Sequence, residues 1–272
     1  MRITLLSNRD LASCVALNTL LPLLQEHSLR VFLSSRVGKA GAGATKPEAL
    51  DTLKFFEQDL FNQFVFPAAD RGESQAALQT FKGLERFLEE PIEELNDING
   101  DGLARFAATA PDLVLSIRYG VILREVAIAV PGKGVINLHS GRLPNYKGVM
   151  ATFRALMHGD SELNMTLHTI DDSGIDTGKI LGYSTLEVDT SRSYLWHVLG
   201  LYEQGCELLA QAVAKVAAGE ALAGVEQATL ANAGRYFTFP TQEELTAFTD
   251  QGWRLVDSDE VLALARQFTT NE

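Results

Sequence analysis

The chain has 272 residues, of which 46% are hydrophobic and 21% charged, and its formal net charge is −12. That content buries a full core in one large domain, or in one domain with a small appendage, and excludes a disordered or fibrous chain. The opening MRITLLSNRD has too short an apolar run for a signal peptide, and no stretch is long and apolar enough for a membrane span, so the expectation is a soluble, cytoplasmic protein.

The acidic residues are spread along the chain and no Lys/Arg cluster stands out, which sets a repulsive average field for DNA and tRNA and favours small-molecule partners. Cys14 and Cys206 lie far apart, each on a helical pattern, and are expected as buried free thiols rather than a disulfide or a metal site.

In chain order, residues 2–8 (RITLLSN) read as a buried strand. Residues 10–27 read as a helix with Ser7, Asn8 or Asp10 as candidate N-cap, and residues 29–35 (LRVFLSS) as a second strand. Residues 38–49 are loop, and the helix that follows carries Leu53, Phe56, Leu60 and Phe61. FVFP, residues 64–67, reads as a short strand, and residues 74–95 as mostly helical with an interruption near Pro91. After the turn-rich NDINGDG and a short helix comes DLVLSIRYG, residues 112–120, a strongly apolar strand.

A further short helix and Pro131-Gly132 lead to the strand GVINLHS, residues 134–140. Residues 150–158 are helical, 164–170 (NMTLHTI) and 179–188 (KILGYSTLEV) are strands, and 193–218 form a long amphipathic helix. Apolar strands alternating with helices predict an α/β fold with an open, mostly parallel sheet. The main domain is placed at residues 1–218. From 219 to 272 the pattern changes to an aromatic strand-like run, a helix opened by Thr241 and a last helix after Ser258, a small C-terminal α/β extension. Tyr236, Phe237 and Phe239 are open between packing on the core and a subunit contact in a homodimer.

Two motifs fall away on inspection. DINGDG, residues 97–102, matches the start of a calcium loop, but the position that needs a bidentate Glu holds Ala108. The glycines around Gly41 and Gly43 lack the Lys-Ser/Thr ending of a phosphate loop and read as a connector. His27, His158, His168 and His197 show no metal-ligand spacing and are set aside, His168 as a packed strand residue or one lining a pocket. No metal is expected.

Asn137 and His139 stand apart. On an extended strand, residues two apart point to one face, so both leave the sheet together where the strand runs out at Ser140-Gly141. In open α/β sheets ligands bind at the carboxyl ends of strands. The glycine-bracketed loop DDSGIDTG can return Asp176 to His139. On residues alone, the trio is open between a network that satisfies buried groups and a catalytic site.

The run RYGVIL, VPGKGVINLHSGRLPNYKG, MTLHTIDDSGIDTGKIL resembles the folate-dependent formyltransferases, a family that includes methionyl-tRNA, glycinamide ribonucleotide and sugar N-formyltransferases. The likeness spans about residues 111–218, with a looser match at the first strand. It implies a Rossmann-like sheet that binds 10-formyltetrahydrofolate as formyl donor, with Asn137, His139 and Asp176 as the catalytic residues. It also implies a donor-binding strip at Tyr119, Gly120, Val121, Ile122 and Leu123, closed by the loop that holds Asp172, and an acceptor side at Arg142 and Tyr146.

The chemistry suits these side chains: donors for an oxyanion, and a carboxylate to sustain an imidazolium and move a proton. SGRLP after His139 and VMATF after Gly148 depart from the family pattern where the acceptor amine is met, as does SNRDLAS after the first strand. Arg142 is open between an anion clamp and a surface charge on a tight turn. The roughly fifty residues after Gly219 are too few for a tRNA-engaging barrel, so the expected acceptor is a small amine such as an amino sugar or an ornithine-like compound. A hydrolase using water as acceptor, a methionyl-tRNA formyltransferase-like activity and a folate-binding protein with a degenerate site are the alternatives. The last would require a broken trio, and all three positions are intact.

Overall fold

The computed structural model describes residues 1–35, 47–72 and 76–269. Strand β1 (Arg2–Asn8) leads through helix α1 (Leu11–Leu23) to β2 (Ser28–Ser34). Helix α2 (Glu48–Lys54) continues through two π-helical turns, Phe55–Asp59 and Phe61–Val65, into α3 (Phe66–Ala69). Then come α4 (Phe81–Leu84), β3 (Glu93–Glu94), α5 (Leu103–Ala108), β4 (Leu113–Ile117), α6 (Glu125–Ile128) and β5 (Val135–His139). The remainder is β6 (Tyr146–Gly148), α7 (Ala151–His158), β7 (Glu162–Thr169), β8 (Ile180–Glu187), α8 (Tyr194–Ala217), β9 (Arg235–Phe237), α9 (Gln242–Asp250) and α10 (Ser258–Thr269).

Seven strands form one sheet in the order β3-β2-β1-β4-β5-β7-β8. The five from β3 to β5 are parallel, and β7 and β8 join antiparallel. This is the expected α/β architecture with a mostly parallel sheet. Parallel strands are covered on both faces, and the side chains divide accordingly. Ile3, Leu5, Leu113, Leu115, Ile136 and Leu138 enter a large core under α1, α7 and α8. Leu6, Val114 and Val135 enter a smaller core with Phe106 of α5 and Ala127 of α6. Chain order reverses between β1 and β4, the crevice where such sheets bind ligands.

Local chemistry explains the boundaries. Asp10 caps α1 by accepting the Ser13 N–H at 2.7 Å, and Ser193 caps α8 by accepting the Trp196 N–H at 3.1 Å. Thr241 and Glu244 form a reciprocal capping box at the start of α9. Cys14 and Cys206 are buried free thiols, and burial pushes both up, Cys206 to about 12. Among the described residues no helix is long and apolar enough to cross a membrane.

Two expectations change. FVFP is helical, not a strand. A strand would put Phe64 and Phe66 on one face, whereas Phe64 is 59% exposed and Phe66 packs on Phe81 and Phe268 at ring distances of 5.6 and 5.1 Å. Residues 76–95 hold only α4, a single 3₁₀ turn and β3 rather than a long helix. There the Asn18 amide takes the place of helical partners, bonding the backbone N–H and C=O of Gln79 at 2.7 and 2.8 Å, while Leu78 N–H goes to Gln267 O. The glycine-rich loop with Gly41 and Gly43 lies outside the described residues.

The residues after α8 share the main core. Leu245, Phe248, Val261 and Phe268 are buried in it, and β9 pairs in parallel with β6. Phe237 is buried against Tyr146, while Tyr236 is 49% exposed. Phe268 sits among Phe61 and Phe66 at 1% exposure, so Phe268→Ala is expected to destabilise the fold by about 3 to 5 kcal/mol, measured by urea unfolding. A loss near zero would show that α10 is not part of the cooperative unit.

Candidate active site

Strand alternation builds the site. Ile136 and Leu138 of β5 turn into the large core, so Val135, Asn137 and His139 share the opposite face. On β7, Leu163, Met165 and Leu167 enter the large core, so Asn164, Thr166 and His168 share the same face as the β5 pair. The antiparallel register sets Asn137 opposite His168 and His139 opposite Thr166. Four polar side chains therefore meet on one patch of sheet, and directly opposed pairs are the closest cross-strand contacts available.

Asp176 completes the patch from the β7–β8 loop. Its Oδ2 accepts the Gly148 N–H at 2.8 Å and lies 3.5 Å from His139 Nδ1; its Oδ1 lies 3.5 Å from His168 Nε2. His139 Nε2 donates to the Tyr146 carbonyl at 2.7 Å. Both nitrogens of His139 thus face acceptors. His168 Nδ1 lies 2.8 Å from the Thr169 carbonyl, and its Nε2 stands between the Asn137 amide nitrogen at 3.0 Å and Asp176 Oδ1 at 3.5 Å: without a proton it accepts from the amide, and with one it donates to the carboxylate. The two imidazole rings stand 6.4 Å apart.

Burial pushes the Asp176 carboxyl up, but the His139 charge, the His168 hydrogen bond and charge, and the Gly148 N–H outweigh it and hold the group down at about 2. The residue reaches this position with φ of +54°, a left-handed backbone that costs a non-glycine residue about 1 kcal/mol or more.

The turn after His139 is pinned from several sides. Thr166 Oγ1 donates to Gly141 O at 2.6 Å and accepts the Leu143 N–H at 3.0 Å. Gly141 must lack a side chain, because a Cβ there would stand 2.8 Å from His139 Nε2. Gly148 has φ of +92° and backs onto the Phe237 carbonyl and the Tyr236 ring. The β6–β9 pairing thereby fixes the N–H that Asp176 accepts.

The strip after β4 lies beside the small core, where Leu123 is buried and Tyr119, Val121 and the loop residue Ile170 pack at its edge. Tyr119 Oη donates to Leu95 O at 2.6 Å, and burial pushes its phenol up. Gly120 N–H goes to Ser34 Oγ at 2.9 Å, and Ile122 is 55% exposed. Asn99, from the turn that imitates a calcium loop, clamps the strip by donating to Ile122 O and accepting from Arg124 N–H, at 2.9 and 2.8 Å. Asp172 is exposed and folds onto its own loop, accepting the Gly174 N–H at 2.7 Å.

Arg142 and Tyr146 are placed differently from the trio. The Arg142 guanidinium lies over the Tyr183 ring at 5.0 Å and reaches Asn164 at 3.5 Å. Tyr146 joins the cluster through its carbonyl, while its phenol donates to Asp160 at 2.9 Å, and burial pushes that phenol up. At the β1/β4 crevice, Asp10 is fully buried and accepts from the Asn8 amide and Arg118 Nε, each at 3.0 Å. A separate cavity of about 360 Å³ lies under the end of α8, lined by Lys133, Gly134, Ile136, Asp171 and Glu220 among others, with no residue of the cluster.

His168 and Thr166 are the residues that sequence reasoning passed over. Their signal is the run L-N-M-T-L-H of residues 163–168, in which polar side chains alternate with apolar ones as Asn137 and His139 do.

The family model for formyl transferases matches residues 47–195, more than half of the chain. The methionyl-tRNA formyltransferase of Kosmotoga olearia is 29% identical over 131 residues, 48% of this chain and 42% of that protein. The chain spans less than half the length of the curated relatives it matches. An N-formyltransferase from Helicobacter canadensis, solved with folinic acid and dTDP-3-aminofucose, superposes with a TM-score of 0.52 at 17% identity over 87% of this chain and 69% of that one. Glycinamide ribonucleotide transformylase 1 from Symbiobacterium toebii superposes with 0.54 at 16% identity over 83% and 93%. At these identities the likeness is one of fold.

A carboxyl whose folded-state pKa is depressed stabilises the fold fully above its ordinary value of 3.8, and the contribution is lost as pH falls toward about 2. Asp176→Asn is therefore expected to flatten the acid limb of the stability curve across that window, read from denaturant unfolding at each pH. An unchanged limb would show that the histidines do not hold this carboxylate.

Proposed function

The chain belongs to the formyl transferase family, and from that premise we propose that it transfers a formyl group from 10-formyltetrahydrofolate to the amine of a small molecule, with Asn137, His139 and Asp176 as the catalytic residues. The observation that carries this is the convergence of His139 on Asp176 at 3.5 Å, beside Asn137, at the end of β5. The donor fits the chain's own residues: the strip 119–123 and the start of the 170–176 loop flank one small apolar core, and Ile122 and Ile175 present exposed apolar side chains on either segment. Folinic acid in the Helicobacter canadensis enzyme supports a folate as the donor.

Bound in that cleft, 10-formyltetrahydrofolate supplies the formyl carbon and a nitrogen that leaves. As the acceptor nitrogen bonds to that carbon, negative charge grows on the formyl oxygen. The Asn137 amide carries two protons, of which His168 takes at most one, so one is left for this oxygen. Both nitrogens of His139 face acceptors, and in its protonated form it contributes positive charge beside the oxygen. Asp176 stabilises that charge and carries the proton that the attacking amine loses toward the departing nitrogen.

Two features favour a small acceptor without a phosphate at the first helix. The net charge of −12 disfavours a polyanion. The N-terminus of α1, an anion site in many such folds, is already filled by the Asp10 carboxylate. Amino sugars and ornithine-like amines remain the classes to test.

The test is the consumption of 10-formyltetrahydrofolate, first without acceptor and then with amino sugars, ornithine derivatives and charged initiator tRNA. Release of tetrahydrofolate only with a small amine supports the proposal; equal release without acceptor would make the protein a hydrolase, and release with tRNA alone would reassign the acceptor. His139→Ala is expected to lower kcat by about 10² to 10⁴ with folding intact, and full activity in that variant would overturn the assignment.

A further inference from the structure

The segment that follows α8 runs largely exposed, with Glu226 and Ala228 both open to solvent, yet Gln227 between them is buried at 6% exposure. Its side-chain amide donates to two backbone carbonyls, Asp176 O at 2.9 Å and Gly178 O at 2.8 Å. Both partners only accept, so the NH₂ group must face them, and Oε1 is left buried with no partner among the described residues. A buried acceptor without a donor is unfavourable. Stability alone therefore does not account for this side chain, and its two donated bonds point to the loop it holds.

That loop needs holding. Asp176 has φ of +54°, and its carboxylate must meet His139, His168 and the Gly148 N–H at once. Gly178 packs so closely on the Thr169 carbonyl that a side chain there would collide with it. Next to Gln227, Val225 bridges Ile180 through paired backbone hydrogen bonds of 2.9 and 2.8 Å. Ten residues on, the same segment becomes β9, which pairs with β6 and accepts the Val149 N–H at Phe237 O at 2.9 Å. One strap thus grips the loop of Asp176 and the β6 strand whose Tyr146 carbonyl and Gly148 N–H bond His139 and Asp176.

We propose that Gln227 is a positioning residue: its amide fixes the Asp176 turn so that the carboxylate stays against His139, and residues 225–237 are part of the catalytic unit. This rests on the reading of Asp176 as a formyl-transfer residue. The loss expected falls more on kcat than on KM, since a misplaced carboxylate weakens the reaction while the 119–123 wall of the proposed donor cleft is untouched.

The experiment compares wild type with Gln227→Met, which keeps the length without the N–H donors, and with Gln227→Asn, which keeps the amide but shortens it, should the first not fold. Two readouts are taken: kcat and KM for 10-formyltetrahydrofolate, and the ¹³C titration of the Asp176 carboxyl in the free protein. The expected result is a fall in kcat of about tenfold to a hundredfold with a smaller change in KM, and an Asp176 titration moved up from about 2 toward the ordinary carboxylate range. An active wild type whose variants keep both kcat and the Asp176 titration would overturn the inference. A wild type without formyl transfer, but with the titration moved in the variants, would uphold the positioning role and refute the proposed reaction instead.

Discussion

The cluster depends on keeping one carboxylate ionised where burial opposes it. Asp176 is almost wholly enclosed, and without partners it would take up a proton. Two histidines on neighbouring strands and one backbone N–H prevent that, and each comes from a different part of the chain. His139 needs the end of β5, His168 needs the antiparallel register of β7, and Gly148 needs the turn that β9 braces from the far end of the sequence. The sheet order, the loop after His139 and the strap after α8 are all conditions for that single charge.

The same constraint separates the cluster from the β1/β4 crevice. There Asp10, Arg118 and Asn8 satisfy one another, with Ser34 bonded to Asn8 and Gly120 bonded to Ser34. These bonds tie the strip after β4 to the first two strands, so the backbone of the proposed donor strip is set by a network that does not touch Asp176. The two networks are thus separate: one braces the strip after β4, and the other gathers charges around Asp176.

The parts of this arrangement that the sequence shows are those governed by local period. The strand RITLLSN, the capping box at Thr241 and the two-residue spacing of Asn137 and His139 are legible because alternation and capping are short-range. Asp176 is legible only through the glycines of its loop and the family resemblance. His168 has the right alternation, but nothing local reveals that antiparallel pairing sets it opposite Asn137. FVFP misleads because aromatic runs suit strands, and only Phe81 and Phe268, far away in sequence, show that Phe66 belongs to a helix face. Gln227 carries no signal in its neighbourhood, since its partners are backbone carbonyls some fifty residues earlier.

The most direct measurement is a crystal structure of the protein with a stable 10-formyl folate analogue. The account predicts the ring in the cleft between residues 119–123 and the 170–176 loop, with the formyl oxygen within hydrogen-bond distance of the Asn137 amide and the formyl carbon beside His139. An analogue seated in the cavity under the end of α8, against Lys133 and Glu220, or with its formyl group away from Asn137, would contradict it.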